Sequence, residues 1–223
     1  MARFSRLDVY QAMLSSGLVP IFYSGDAIVA ESVVKACLDG GTRVMEFTNR
    51  GEQALKVFAH LSEYLDSIKS PVALGVGSIV DAPTAALYIA YGANYIVSPN
   101  LNPEVARLCN RRKIPYLPGC ATVSEISNAE ELGVEIVKIF PGETIGGPAF
   151  IKAILGPMPW TRIMPTGGVE PTAEGVGRWI KAGAACLGMG SNMIRKEAVA
   201  LGDFDSVREN VRNVLQFVQD ARK

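Results

Sequence analysis

Eight short apolar, β-branched runs alternate with amphipathic helical stretches from one end of the chain to the other. The runs fall at 19–23, 43–48, 72–76, 95–97, 116–118, 135–140, 162–164 and 185–187. Most are apolar at consecutive positions rather than at alternate ones, the pattern of strands buried on both faces of a parallel sheet. Helical periodicity fills the gaps at 26–39, 52–65, 82–91, 103–111, 124–132, 149–154 and 172–182. A last helix follows at 204–221, and an extra one at 6–16 precedes the first strand. Each step from strand to strand takes roughly 20 to 30 residues, the length of one βα unit.

Glycines punctuate the joins. Gly40-Gly41, Gly92, Gly133 and Gly183 each stand where a helix ends, a position that favours the left-handed backbone glycine adopts at little cost. Asp81-Ala82-Pro83 and Asn102-Pro103 read as helix starts, a capping residue before a first-turn proline. A repeating βα order could also build an open doubly wound sheet. The count of eight, and the lack of a G-x-G-x-x-G after the first strand, favour closure into a (β/α)8 TIM barrel. With no low-complexity linker in 223 residues, the expectation is one domain spanning 1–223.

Composition removes several classes of function. Lys+Arg and Asp+Glu are 22 each, so nothing here attracts nucleic acid or an anionic membrane. No apolar run reaches the length of a membrane span, and the N-terminus lacks the apolar core of a signal peptide. Cys37, Cys109, Cys120 and Cys186 form no C-x-x-C pair and read as small buried residues, which suits the reducing cytoplasm. The one histidine, His60, reads as a helix-surface residue. A histidine metal site or a Ser-His-Asp triad would need more.

In a barrel, chemistry gathers where strands end and βα loops begin. Of the nine lysines, Lys138 alone lies within an apolar strand, Glu135-Ile136-Val137-Lys138-Ile139-Phe140. Alternation puts it on one face with Ile136 and Phe140. An interior there would strip water from the ammonium and favour the neutral amine that attacks a carbonyl. A lysine so placed could instead snorkel from the strand end or neutralise a carboxylate. Glu46, near the end of the second strand, could project into the same space and relay protons through water, or merely pair with Lys138. Arg50, four residues on, presents a fork that matches a substrate carboxylate, helped by the Ser78 hydroxyl and N–H groups around Gly77. Thr166-Gly167-Gly168 and Gly190-Ser191 follow the last two strands, the usual place for a phosphate site built from backbone N–H groups.

At these residues the chain resembles the class I 2-keto-3-deoxy-6-phosphogluconate (KDPG) aldolases, including bifunctional enzymes that also cleave 4-hydroxy-2-oxoglutarate. The likeness runs through Gly40–Arg50, Gly75–Ile79, Ser98-Pro99, Pro118–Thr122, Val137–Pro141 and Pro165–Gly168. It implies that Lys138 forms a Schiff base, that Glu46 is the general acid/base, and that Arg50 and Ser78 hold the pyruvyl carboxylate. It implies phosphate binding at Gly167, Gly168, Gly190 and Ser191, no metal and no cofactor, and a homotrimer. Ser78 replaces a common threonine, Asn100 a common glycine, and Met189–Asn192 a common Gly-Gly-Ser-Trp run. The Gly142–Ile145 loop also departs from the family pattern. An aldolase for a related 2-keto-3-deoxy acid and a lysine-dependent 2-keto acid decarboxylase share the same chemistry. A phosphate-ligand binding barrel is the non-enzymatic alternative.

Overall fold

The computed structural model describes residues 2–223. Helix α1 (Arg6–Ser16) leads into β1 (Leu18–Phe22), α2 (Ala27–Asp39), β2 (Val44–Thr48), α3 (Ala54–Ser67), β3 (Ala73–Gly77) and α4 (Ala82–Ala90). Next come β4 (Ile96–Val97), α5 (Pro103–Arg112), β5 (Tyr116–Leu117), β6 (Gly119–Cys120), α6 (Val123–Glu131), β7 (Val137–Ile139) and α7 (Gly147–Leu155). The chain ends with β8 (Ile163–Pro165), α8 (Ala173–Lys181), β9 (Leu187–Met189), α9 (Lys196–Ala200) and α10 (Phe204–Ala221).

All strand pairs are parallel. Six strands run in the order β5-β4-β3-β2-β1-β9, and three more in the order β6-β7-β8. Strands β5 and β6 meet at Pro118, which has no N–H to donate to a ladder, although its carbonyl accepts from the Lys138 N–H at 3.0 Å. Beyond β8, Thr166 bridges to Gly188 of β9. The result is a curled parallel sheet with helices outside it and α1 at one end.

Alternation along each strand feeds two separate cores. Outward residues such as Met45, Phe47, Leu74, Val76 and Ile139 pack against the helices. Inward residues Val19, Val44, Ala73, Tyr95, Val97, Leu117, Ile136, Met164 and Cys186 pack with Val9, Tyr10 and Met13 of α1. Helix α1 therefore fills the interior at the end where the strands begin. Helix α10 presents Val207, Val211, Val214 and Val218 at helical spacing and packs against α2 and α8. Each such burial is worth about 1.5–3 kcal/mol.

Sequence expectations and structure differ in a few places. Gly41, Gly92, Gly133 and Gly183 take positive φ as expected, but Gly40 is right-handed at φ −71°, and α10 packs closely against it. A Cβ on Gly40 would stand 2.9 Å from the Val211 side chain. The last strand lies two residues later than expected. Helix α9 has no sequence counterpart; Arg195 gives it no side-chain cap. Among the described residues no helix is long and apolar enough to cross a membrane.

Candidate active site

On β2, Val44, Glu46 and Thr48 share the inward face, and on the β7 segment Ile136, Lys138 and Phe140 do so. The register sets Glu46 between Ile21 and Gly75, and Lys138 between Gly119 and Met164. Glycine lines much of this level. A Cβ at Gly77 would overlap the Glu46 carboxylate, one at Gly75 the Tyr95 ring, and one at Gly188 the Thr166 hydroxyl. The missing side chains are what leaves room for a glutamate, a tyrosine ring and a threonine hydroxyl inside an otherwise packed sheet.

Glu46 is 1% exposed and Lys138 6% exposed. Burial pushes the Glu46 carboxyl above its usual range, opposed by the positive charges of Lys138 and Arg50. Burial likewise pushes the Lys138 ammonium down; Glu46 opposes this and Arg50 adds to it. Both shifts move proton affinity toward the working range of an acid/base pair. The Lys138 Nζ stands 4.9 Å from the centre of the Phe140 ring. Among the described residues Glu46 Oε2, Tyr95 OH and Thr166 Oγ1 are buried without a hydrogen-bond partner. Such orphans cost about 1–3 kcal/mol each, a penalty typical of sites built to receive something polar.

A cavity of about 730 Å³ opens at the carboxyl ends of the strands. Thr48 and Phe140 line it, one step above Glu46 and Lys138 on the same faces, as does Arg50. Lys138, Glu46 and Ser78 are not in its wall and lie beneath or beside it. Arg50 is exposed at the rim. Ser78 is half-buried after β3 and takes φ +62°, a left-handed backbone that non-glycine residues rarely adopt.

Thr166, Gly167, Gly168, Gly190 and Ser191 all line the cavity. Thr166 is buried, its hydroxyl turned toward Gly188, whereas Gly167, Gly168 and Ser191 are exposed. The β7–α7 loop runs over the β8 end: the N–H of Gly142 donates to the Thr166 carbonyl at 2.8 Å and that of Glu143 to the Gly167 carbonyl at 3.0 Å. Glycine is required at 168, where φ is +86° and a Cβ would overlap Glu143. Sequence reasoning missed Lys196, Asn192 and Tyr23, which also line the cavity. Lys196 opens the uncapped helix α9, so no motif marked it. His60 sits on α3, its Nε2 2.7 Å from Glu31 Oε2, far in role from this site.

The family model "KDPG and KHG aldolase" matches residues 9–210. The 2-dehydro-3-deoxy-phosphogluconate aldolase of Treponema pallidum is 30% identical over 95% of this chain and 98% of its own. That of Pseudoalteromonas atlantica is 34% identical over 89% of this chain and 90% of its own. The structure of KDPG aldolase from Legionella pneumophila, with pyruvate captured as a covalent carbinolamine intermediate, superposes with a TM-score of 0.83 at 26% identity. It covers 91% of this chain and 96% of that one. A family model that matches nearly the whole chain, with relatives of 30% identity and more covered almost end to end, makes this protein a member of the KDPG and KHG aldolase family of carbon–carbon lyases.

Proposed function

We propose that the chain is a single-domain (β/α)8-barrel class I aldolase, working in the cytoplasm as a homotrimer. Its reaction is cleavage of 2-keto-3-deoxy-6-phosphogluconate to pyruvate and glyceraldehyde 3-phosphate. The same machinery serves cleavage of 4-hydroxy-2-oxoglutarate to pyruvate and glyoxylate. The observation that carries this reading is the buried Lys138, its proton affinity lowered, sharing an inward layer with the buried Glu46. The junction of β5 with β6 at Pro118 and the Thr166–Gly188 bridge support closure of the barrel.

The neutral Lys138 amine adds to the C2 carbonyl; protonated Glu46 then delivers, through a water, the proton with which the carbinolamine hydroxyl leaves as water, giving an iminium and a Glu46 carboxylate. Glu46, as carboxylate and through a water, accepts the C4 hydroxyl proton as the C3–C4 bond breaks. The electron pair moves into the iminium, leaving an enamine on Lys138, and the aldehyde departs. Glu46, now protonated, returns the proton to C3, and water releases pyruvate. Arg50 and Ser78 hold the substrate carboxylate. The phosphate lies against Gly167, Gly168, Gly190 and Ser191 at the cavity wall, with Thr166 buried beneath them.

Borohydride reduction with pyruvate tests this. A stable adduct is expected on Lys138, and Lys138→Ala should lose both adduct and turnover. An adduct on another residue, or turnover retained in K138A, ends the imine mechanism. Pyruvate release from a panel of 2-keto-3-deoxy acids, phosphorylated and not, fixes the substrate.

A further inference from the structure

Three inward positions form one row across the sheet. Glu46 of β2 pairs with Gly75 of β3. Val76 pairs with Ile96, which sets Tyr95 beside Gly75 on the other side. Glu46 and Tyr95 thus flank a residue that has no side chain, with strand spacing placing their Cα atoms about 10 Å apart. The Tyr95 ring leans over Gly75, and the Glu46 carboxylate over Gly77 two residues along the same face. The two side chains therefore converge above one strip of glycine backbone. Each ends in a buried oxygen, Tyr95 OH and Glu46 Oε2, that has no hydrogen-bond partner among the described residues. One is a donor and the other, when ionised, can only accept.

We propose that Tyr95 is a positioning residue for the aldolase reaction: its O–H donates to one buried water that in turn donates to Glu46 Oε2, and this keeps that carboxylate ionised and aimed. This rests on the reading of Glu46 as the acid/base. The groups that face Glu46 are Lys138 from β7, Arg50 from the loop after β2 and Tyr95 itself; Cys186 of β9 faces the phenol in turn. Burial holds the phenol well above its usual range, and the Glu46 charge adds to this. Tyr95 therefore keeps its proton wherever the enzyme works. The bond relayed from that proton through the water favours ionised Glu46 and offsets part of the upward push of burial.

Tyr95→Phe removes one buried oxygen and keeps the ring. The experiment follows exchange of the pyruvate methyl protons with solvent against pH, in wild type, Y95F and E46Q, alongside borohydride trapping. In Y95F the trapped Lys138 adduct is expected at wild-type yield, while the acidic limb of exchange moves to higher pH by about one unit. The infrared band of the protonated Glu46 carboxyl, assigned by its loss in E46Q, should move with it. A Y95F profile and band that superpose on wild type, with exchange abolished in E46Q, would overturn the role of Tyr95 and leave Glu46 in place. Exchange that survives in E46Q with its limb intact would remove Glu46 as the acid/base, and the proposal with it.

Discussion

The Lys138 amine faces the ring of Phe140, two residues further along the same strand face and 4.9 Å away. An aromatic face attracts a cation, and the iminium proposed on Lys138 is one. Such contacts are worth about 0.5–2 kcal/mol. Phe140→Leu keeps an apolar neighbour but removes the π face, so kcat should fall about 2- to 30-fold. Steady-state kinetics on the phosphorylated substrate measures it; an unchanged kcat would assign Phe140 to packing alone.

Glu46→Gln separates imine formation from proton transfer. Pyruvate should still be trapped on Lys138, while exchange of its methyl protons slows by about 10²- to 10⁴-fold. The Glu46 charge raises the lysine's proton affinity, so its loss should leave more free amine at a given pH. Trapping in E46Q should therefore persist to lower pH than in wild type. In wild type, trapping is expected to rise with pH along a limb below 10.5, because burial has lowered the ammonium from that value.

Gly77→Ala puts a methyl group where the Glu46 carboxylate lies. The acid must move, and a displacement of about 1 Å can cost on the order of 10²-fold in rate. Turnover should fall by that amount while circular dichroism and the Lys138 adduct persist. Full turnover in G77A would mean that the carboxylate has slack the packing does not suggest.

Lys196 lines the cavity from α9 and is exposed. Lys196→Ala should raise KM for a phosphorylated substrate by about fivefold, the scale of an exposed charge pair. KM for its unphosphorylated analogue should stay put, and the difference should shrink in high salt. Equal effects on both substrates would place the phosphate elsewhere.

The layer bearing the chemistry is legible in the chain because a lysine buried in an apolar strand is costly unless it meets a counter-charge or gives up its proton. Glu46 and Arg50 follow from their place at a strand end. Less visible is depth: sequence groups Thr166 with the phosphate loop, and the structure buries its hydroxyl against Gly188. Alternation tells the face of a strand but not how far down the sheet each residue sits. The last strand is hard to place because Ala184-Ala185-Cys186-Leu187-Gly188-Met189 has no β-branched residue to mark its edge. Helix α9 is hidden because five residues hold too few turns to show a period. Tyr95 reads simply as a strand residue; its bearing on Glu46 needs the register across Gly75, which links positions far apart in the chain.

Helix α1 stoppers one end of the interior with Val9, Tyr10 and Met13, and this sets an itinerary for the products. With that end filled, the proposed reaction keeps the fragment tethered to nitrogen at the back of the room while the aldehyde, nearer the threshold, walks out first. The water that frees the tethered piece must come in by the route just vacated. Pyruvate is then last to go, and it is pyruvate rather than the aldehyde that rivals a fresh substrate molecule for the resting enzyme.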